Sequence, residues 1–297
     1  MKTSKFGSTP FVALFEVVTL ALFFVWMPEA ASAAPTPIAS CPAVISAPGT
    51  YRLDVDCMVG SSAGYAISIA ANNVNLNLDG HVLAGPISTS ADCGLDVLGI
   101  EINGSNVTIN NGVLIRFRLG IRAFFGQGHN MSNLTVMGNC GGIQLFHSNK
   151  NVIAGSSLSG NYNSGVQFVN ANGNRLSNSL VNNNGSVTLG GNHGIFLENS
   201  SSNVINGNEV SANRNARGIR LISSNDNEIR NNTIIGNSEE GIRIDDDGSN
   251  RNVMRANRAI FNGIDFGDSN PMCINEWTNN TFYTDNEGDG PGAGCIQ

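Results

Sequence analysis

Gly218-Ile219-Arg220-Leu221 is followed 23 residues later by Gly241-Ile242-Arg243-Ile244, and this pattern of a glycine and an alternating apolar pair runs through most of the chain. Earlier copies are Gly99-Ile100-Glu101-Ile102, Gly142-Ile143-Gln144-Leu145, Gly165-Val166-Gln167-Phe168 and Gly194-Ile195-Phe196-Leu197. A weaker copy is Gly120-Ile121-Arg122-Ala123, and the last is Gly263-Ile264-Asp265-Phe266. Successive glycines lie 21, 22, 23, 29, 24, 23 and 22 residues apart, so one unit is about 23 residues. That length does not comfortably hold a strand, a crossover helix and two loops, and no 3.6-residue apolar period appears between the glycines. Three short strands per unit fit, because apolar alternation is repeatedly broken by Asn or Gly, residues that tolerate the left-handed backbone of a tight corner.

Three strands and three corners per repeat wind into a parallel β-helix, each coil bonded to the next at about 4.8 Å. Asparagine supports this reading: Asn161, Asn184, Asn213, Asn237 and Asn262 each lie eight residues after Ile153, Leu176, Ile205, Ile229 and Met254. Stacked on one another they predict a ladder of side-chain amides. A leucine-rich repeat has a similar period, but Ile and Val dominate where it needs Leu. The expected fold is all-β: a right-handed parallel β-helix of about nine coils with disulfide-stapled ends.

Composition agrees. Of 297 residues 41% are hydrophobic and only 13% charged, and 43 asparagines and 35 glycines disfavour helices while leaving enough apolar surface for a core. A net charge of -7 argues against nucleic acid as a partner, since there is no basic surplus to release counterions. Residues 1–33 read as a secretory signal: Lys2 and Lys5 precede an apolar stretch from Phe11 to Met27, and Ala31-Ser32-Ala33 is a small-residue cleavage pattern. Glu16 leaves the run short for a bilayer span, so no membrane association is expected after cleavage. The organisation expected is a signal at 1–33, a cap at 34–63, repeats at 64–267 and a second cap at 268–297. Export to the periplasm or the medium permits disulfides, and pairing of sequence neighbours gives Cys41 with Cys57, Cys93 with Cys140 and Cys273 with Cys295.

The glycine-led rhythm and the spaced asparagines resemble the repeat of the pectate-lyase-like superfamily, in particular its carbohydrate-binding and sugar-hydrolase group with the NosD-like periplasmic proteins. The resemblance covers roughly residues 64 to 283. It implies the fold, and it points to polysaccharide as the partner without fixing an activity, because this architecture hosts lyases, hydrolases, epimerases, adhesins and non-catalytic proteins.

Alternation then assigns an outward face. If the apolar pair of each repeat points inward, Glu101, Arg122, Gln144, Gln167, Phe196, Arg220, Arg243 and Asp265 point out, and two residues further on so do Phe124, Phe146, Glu198 and Asp245. His193, Arg217 and Glu240 precede the glycines of their repeats. Charge concentrates between His193 and Asp265, and the 29-residue unit with its insertion from Gly185 to Asn192 lies beside it. The functional expectation is a groove for an acidic polysaccharide. Arg217, Arg220, Arg243 and Arg122 would clamp sugar carboxylates, Phe196, Phe124 and Phe146 would meet sugar rings, and Asp245, Asp265, His193 and Glu198 are the catalytic candidates.

The alternative is a non-catalytic structural or adhesin-like envelope protein with ion pairs between rungs. The paired-aspartate pattern of polygalacturonases and the Tyr-Gly-x-Asp-Pro-His signature of alginate epimerases are both missing, so turnover by a lyase, C5-epimerase or glycoside hydrolase is left open. No cofactor is required. Calcium at Asp245-Asp246-Asp247 is suggested by resemblance to lyases of this fold, with an ion-free acidic corner as the alternative. His81, His129, His147 and His193 are scattered and give no metal-ligand spacing.

Overall fold

The computed structural model describes residues 34–186, 188–189, 192–245, 248–270, 272–286 and 294–296. The signal sequence expected at 1–33 and the acidic pair Asp246-Asp247 lie outside them. The described chain is a parallel β-solenoid. One turn consists of three short strands, for example Gly141–Phe146, Val152–Ala154 and Ser157–Ser159. The first of each turn stack into a ten-stranded sheet, and the others form an eighteen-stranded sheet around the remaining sides. Nine strands of the ten-stranded sheet come from the repeat region, beginning with Tyr65–Ile69 and ending with Ile264–Asp268; Ala43–Ile45 adds a tenth by pairing with the first of these. Among the described residues no helix is long and apolar enough to cross a membrane.

The apolar pairs build the core as alternation requires. Ile100, Ile121, Ile143, Val166, Ile195, Ile219 and Ile242 form one buried column, and Ile102, Ala123, Leu145, Phe168, Leu197, Leu221 and Ile244 a second. The glycine is needed for close approach: a Cβ on Gly142 would stand 2.2 Å from the carbonyl oxygen of Gly165 and 3.1 Å from Nδ2 of Asn161.

The asparagine ladder is present and longer than its repeats indicate. Each Nδ2 donates to Oδ1 of the next coil, from Asn139 to Asn161 (3.1 Å), Asn184 (2.9 Å), Asn213 (3.1 Å), Asn237 (2.7 Å) and Asn262 (2.9 Å). Each Oδ1 also accepts the backbone N–H of the previous member, so the buried amides are satisfied along the column. Two further columns run through Asn203, Asn227, Asn252 and Asn275, and through Asn208, Asn232, Asn257 and Asn280.

The last coil departs from the sequence reading. Gly263-Ile264-Asp265-Phe266 matches the repeat as text, yet Ile242 pairs with Phe266 and Arg243 with Gly267, a slip of two residues. Phe266 takes the core position and packs against Trp277 and Phe282, ring centroids 4.9 Å apart in each case. Asp265 is therefore buried rather than on the outward face. Its carboxylate accepts from Nδ2 of Asn262 (3.0 Å) and from the backbone of Tyr283 and Thr284, ending the ladder. Asp268 ends another column by accepting from Asn275 and Trp277. Acceptor-only side chains suit both places, because each ladder arrives with N–H groups.

All three expected disulfides form: Cys41–Cys57, Cys93–Cys140 and Cys273–Cys295. The first and third staple the two ends.

Candidate functional site

The outward face of the ten-stranded sheet has two halves. In the amino-terminal half its floor is the column Arg122, Gln144 and Gln167, whose backbones pair in register. Gln144 Nε2 donates to Gln167 Oε1 at 2.9 Å, an amide pair that echoes the buried ladders. Arg122 donates to Glu101 at 2.5 Å, while its buried Nε has no hydrogen-bond partner.

A wall rises at the leading edge of these strands, and half of it escaped the sequence reading. Tyr65 pairs with Leu98, so that coil is 33 residues long and carries an insertion between Gly85 and Val97. The repeat series begins only at Gly99, which hid it. The insertion contains a short 3-10 helix, Ser90–Gly94. The Asp92 carboxylate accepts from the backbones of Ser88 (3.0 Å) and Thr89 (2.9 Å), and these bonds hold it below the ordinary aspartate value.

Three ties fix this wall: the Cys93–Cys140 disulfide, a hydrogen bond from the Tyr162 hydroxyl to the carbonyl of Ser88 (3.0 Å), and Ser90 Oγ against Thr188 Oγ1 (2.9 Å). The last joins it to the insertion at Gly185–Asn192. Of that segment's described residues, Leu189 lines a cleft, and it lies over Arg122, Gln144 and Gln167 rather than over the charged carboxy-terminal face. The cleft has a volume of about 270 Å³ and is lined by the disulfide, Arg118, Leu119, Arg122, Gln144, Gln167 and Leu189.

The opposite edge of the same strands is aromatic. Phe124 and Phe146 lie parallel with centroids 5.5 Å apart, and the Arg122 guanidinium sits 5.3 Å from the Phe124 centroid. Wall and rings are separated by five residues of strand, about 17 Å.

In the carboxy-terminal half the charges engage one another. Arg220 holds Asp245 through Nε (2.7 Å) and Nη2 (2.6 Å), and Arg243 reaches the same carboxylate at 2.5 Å. Arg243 also approaches Glu240 (3.5 Å), and Arg217 pairs with Glu240 (2.8 Å) and Glu239 (3.0 Å). Burial pushes the Asp245 carboxyl up, but the hydrogen bonds from Arg243 and Arg220 outweigh it and hold it below its ordinary value.

His193 lies beneath this group, 1% exposed, with Nε2 3.2 Å from Nη1 of Arg220 and its ring 4.9 Å from Phe196. A guanidinium only donates, so Nε2 accepts and the proton is on Nδ1, which is buried without a partner. Burial, then the charges of Arg220 and Arg217, push His193 down to about 3, against the pull of Asp245. Glu198 is half-buried on the same face, register-paired with Ile222. His193, Arg217, Arg220, Arg243, Asp245 and Phe196 thus come together. Asp265 does not join them, and Arg122, Phe124 and Phe146 belong to the other half.

Among the described residues no three His, Cys, Asp or Glu side chains converge as a metal requires. The histidines stand apart in character: His81 bonds Asp56 at 3.0 Å, His129 and His193 are buried, and His147 lies against Phe125.

Forty-one solved chains resemble this fold. The periplasmic alginate epimerase AlgG is 15% identical with a TM-score of 0.56, covering 80% of this chain and 70% of its own. The Dettilon tailspike protein is 17% identical with a TM-score of 0.63, covering 84% of this chain and 54% of its own. ORF18 of Geobacillus virus E2 is 14% identical with a TM-score of 0.56, covering 79% and 53%. No curated protein matches the sequence. The family model described as periplasmic copper-binding protein (NosD) matches residues 99–289, well over half of the sequence, and the chain belongs to this family.

Proposed function

We propose that this is an exported, periplasmic or secreted, protein that binds a polysaccharide along the amino-terminal half of the outward face. The observation that carries the reading is the groove itself: an amide and guanidinium floor between a disulfide-anchored wall and an aromatic edge, open along the solenoid axis. The side-chain amides of Gln144 and Gln167 suit sugar hydroxyls, and aromatic rings suit the apolar faces of sugars. Three intramolecular disulfides support an oxidising compartment. Structural neighbours named for alginate epimerisation and as tailspikes are consistent with a glycan partner.

The reading is of binding rather than turnover. Asp245 is clamped by two arginines, the Nε2 lone pair of His193 is occupied by Arg220, and Asp265 is buried in a ladder. An acidic sugar was expected from free arginines, but Arg118 pairs with Asp96 (2.6 Å) and Arg122 with Glu101, so recognition rests on hydroxyls and ring faces. The copper in the family's description does not fit this chain's donors: all six cysteines are in disulfides, and the only imidazole of the charged cluster faces a guanidinium.

Affinity electrophoresis through gels containing soluble β-1,4-glucan, mannan or alginate tests the proposal. Retention by at least one glycan, changing little between low and physiological salt and weakened in Gln144→Ala, is expected. Free migration in every gel would refute it.

A further inference from the structure

The corner that follows the ten-stranded sheet is left-handed in five consecutive coils: Phe125, His147, Asn170, Asn199 and Ser223 have φ of 57°, 50°, 51°, 48° and 48°. Asparagine suits this backbone, and serine is at least small. Phenylalanine suits it less, because its Cβ crowds the following carbonyl with no short polar side chain to offset the cost, whereas histidine is among the residues that visit it more readily. Burial does not compensate, since Phe125 is 53% exposed and His147 is exposed as well. Instead their rings lie parallel, centroids 5.1 Å apart, beside the parallel pair Phe124 and Phe146. The two pairs meet edge to face at 4.6 Å, with planes 81° and 82° apart. Planes so nearly perpendicular cannot both stack along the solenoid axis, so at least one pair turns its ring faces sideways.

We infer that this four-ring corner is a sugar-stacking subsite of the groove, shaped for a pyranose with equatorial hydroxyls, whose C–H bonds leave the ring faces apolar, as in a β-linked glucan. The inference rests on the binding role proposed above and deepens it. Continuity identifies the occupant: Phe124 and Phe146 follow Arg122 and Gln144 by two residues on the same strands and so point the same way. Size agrees, because the aromatic corner ends at Asn170 after two coils, about 10 Å. That is the length of one or two sugar rings, whereas a stable protein interface, at roughly 800 Å² per partner, needs a patch about 30 Å across.

The test replaces Phe125 and His147 together by the residue of the sibling corners, Phe125→Asn with His147→Asn, and measures both glucan retention and melting temperature. Expected are a three- to tenfold weaker affinity for soluble β-1,4-glucan, the scale of lost aromatic contacts, and a melting temperature unchanged or raised. Phe125→Tyr, which keeps the ring, should retain wild-type affinity. Unchanged affinity in the double variant overturns the inference, as does a loss of affinity accompanied by a lower melting temperature, which would make the rings a structural stack. If Gln144→Ala weakens binding and the double variant does not, the subsite alone falls. If the wild type binds no glycan, the groove falls with it.

Discussion

The two halves of the outward face are built on the same sheet, one rung apart, and have come to opposite arrangements. From His193 to Asp245 the side chains satisfy one another: three arginines, three carboxylates and a neutral histidine form a patch with little left to offer a ligand. From Leu98 to Val169 the floor is mainly neutral, and two insertions are joined above one edge. The difference teaches that charge density along a solenoid is a poor guide to its binding surface. Ions spaced one rung apart pair across the rungs, whereas a site needs polar groups held apart by something that departs from the repeat.

Acid provides the largest expected effect. His193 is held down to about 3 and His129 to about 4, both chiefly by burial, whereas an unfolded histidine titrates near 6.5. Between those values the unfolded chain binds more protons, so stability falls as pH is lowered from about 6.5 towards 4, by on the order of several kcal/mol for the two together. Denaturant melts at pH 7 and 4.5 check this. His193→Gln should flatten the pH dependence without altering glycan retention at pH 7, since the histidine is in the self-satisfied half.

Cutting the Cys93–Cys140 tie should cost about 3 kcal/mol and abolish retention, because the wall loses its anchor. Cys93→Ser with Cys140→Ser, assayed by chemical denaturation and affinity electrophoresis, reads both. Asp245→Asn should cost about 1–2 kcal/mol by leaving Arg220 and Arg243 poorly compensated, with retention unchanged. The folded-state pKa of Asp245 is lowered, so its contribution is present above the ordinary aspartate range and lost as pH falls through the folded value. In the variant that acid-dependent step is gone. Smallest is Gln167→Ala, which removes one partly exposed amide: stability within about 0.5 kcal/mol of wild type and a modest loss of affinity by titration calorimetry.

What the sequence made legible is what repeats. The glycine, the inward Ile and Val columns and the Asn161-to-Asn262 ladder recur at the coil length, and each is found where alternation puts it. The second ladder was equally readable, since Asn151, Asn174, Asn203, Asn227, Asn252 and Asn275 follow the same spacing. Asp265 was misread because text identity with the repeat hid a competition for the core that Phe266 won by packing on Trp277. The wall was only half legible, for a different reason. Ser90 and Thr188 meet across 98 residues of sequence, a contact that no local pattern encodes. The ring corner lay between, since Phe124 and Phe146 were visible by alternation but Phe125 and His147 fell on a corner, where only backbone angles mark them as unusual.

Hydrogen exchange of the oxidised protein with and without a bound soluble β-1,4-glucan tests the central claim most directly. The account predicts slowed exchange over Leu119–Phe124, Gly141–Phe146 and the segment around Ser90–Gly94, with Ala216–Ile222 and Glu240–Asp245 unchanged. Protection confined to the Arg217-to-Asp245 patch would contradict it.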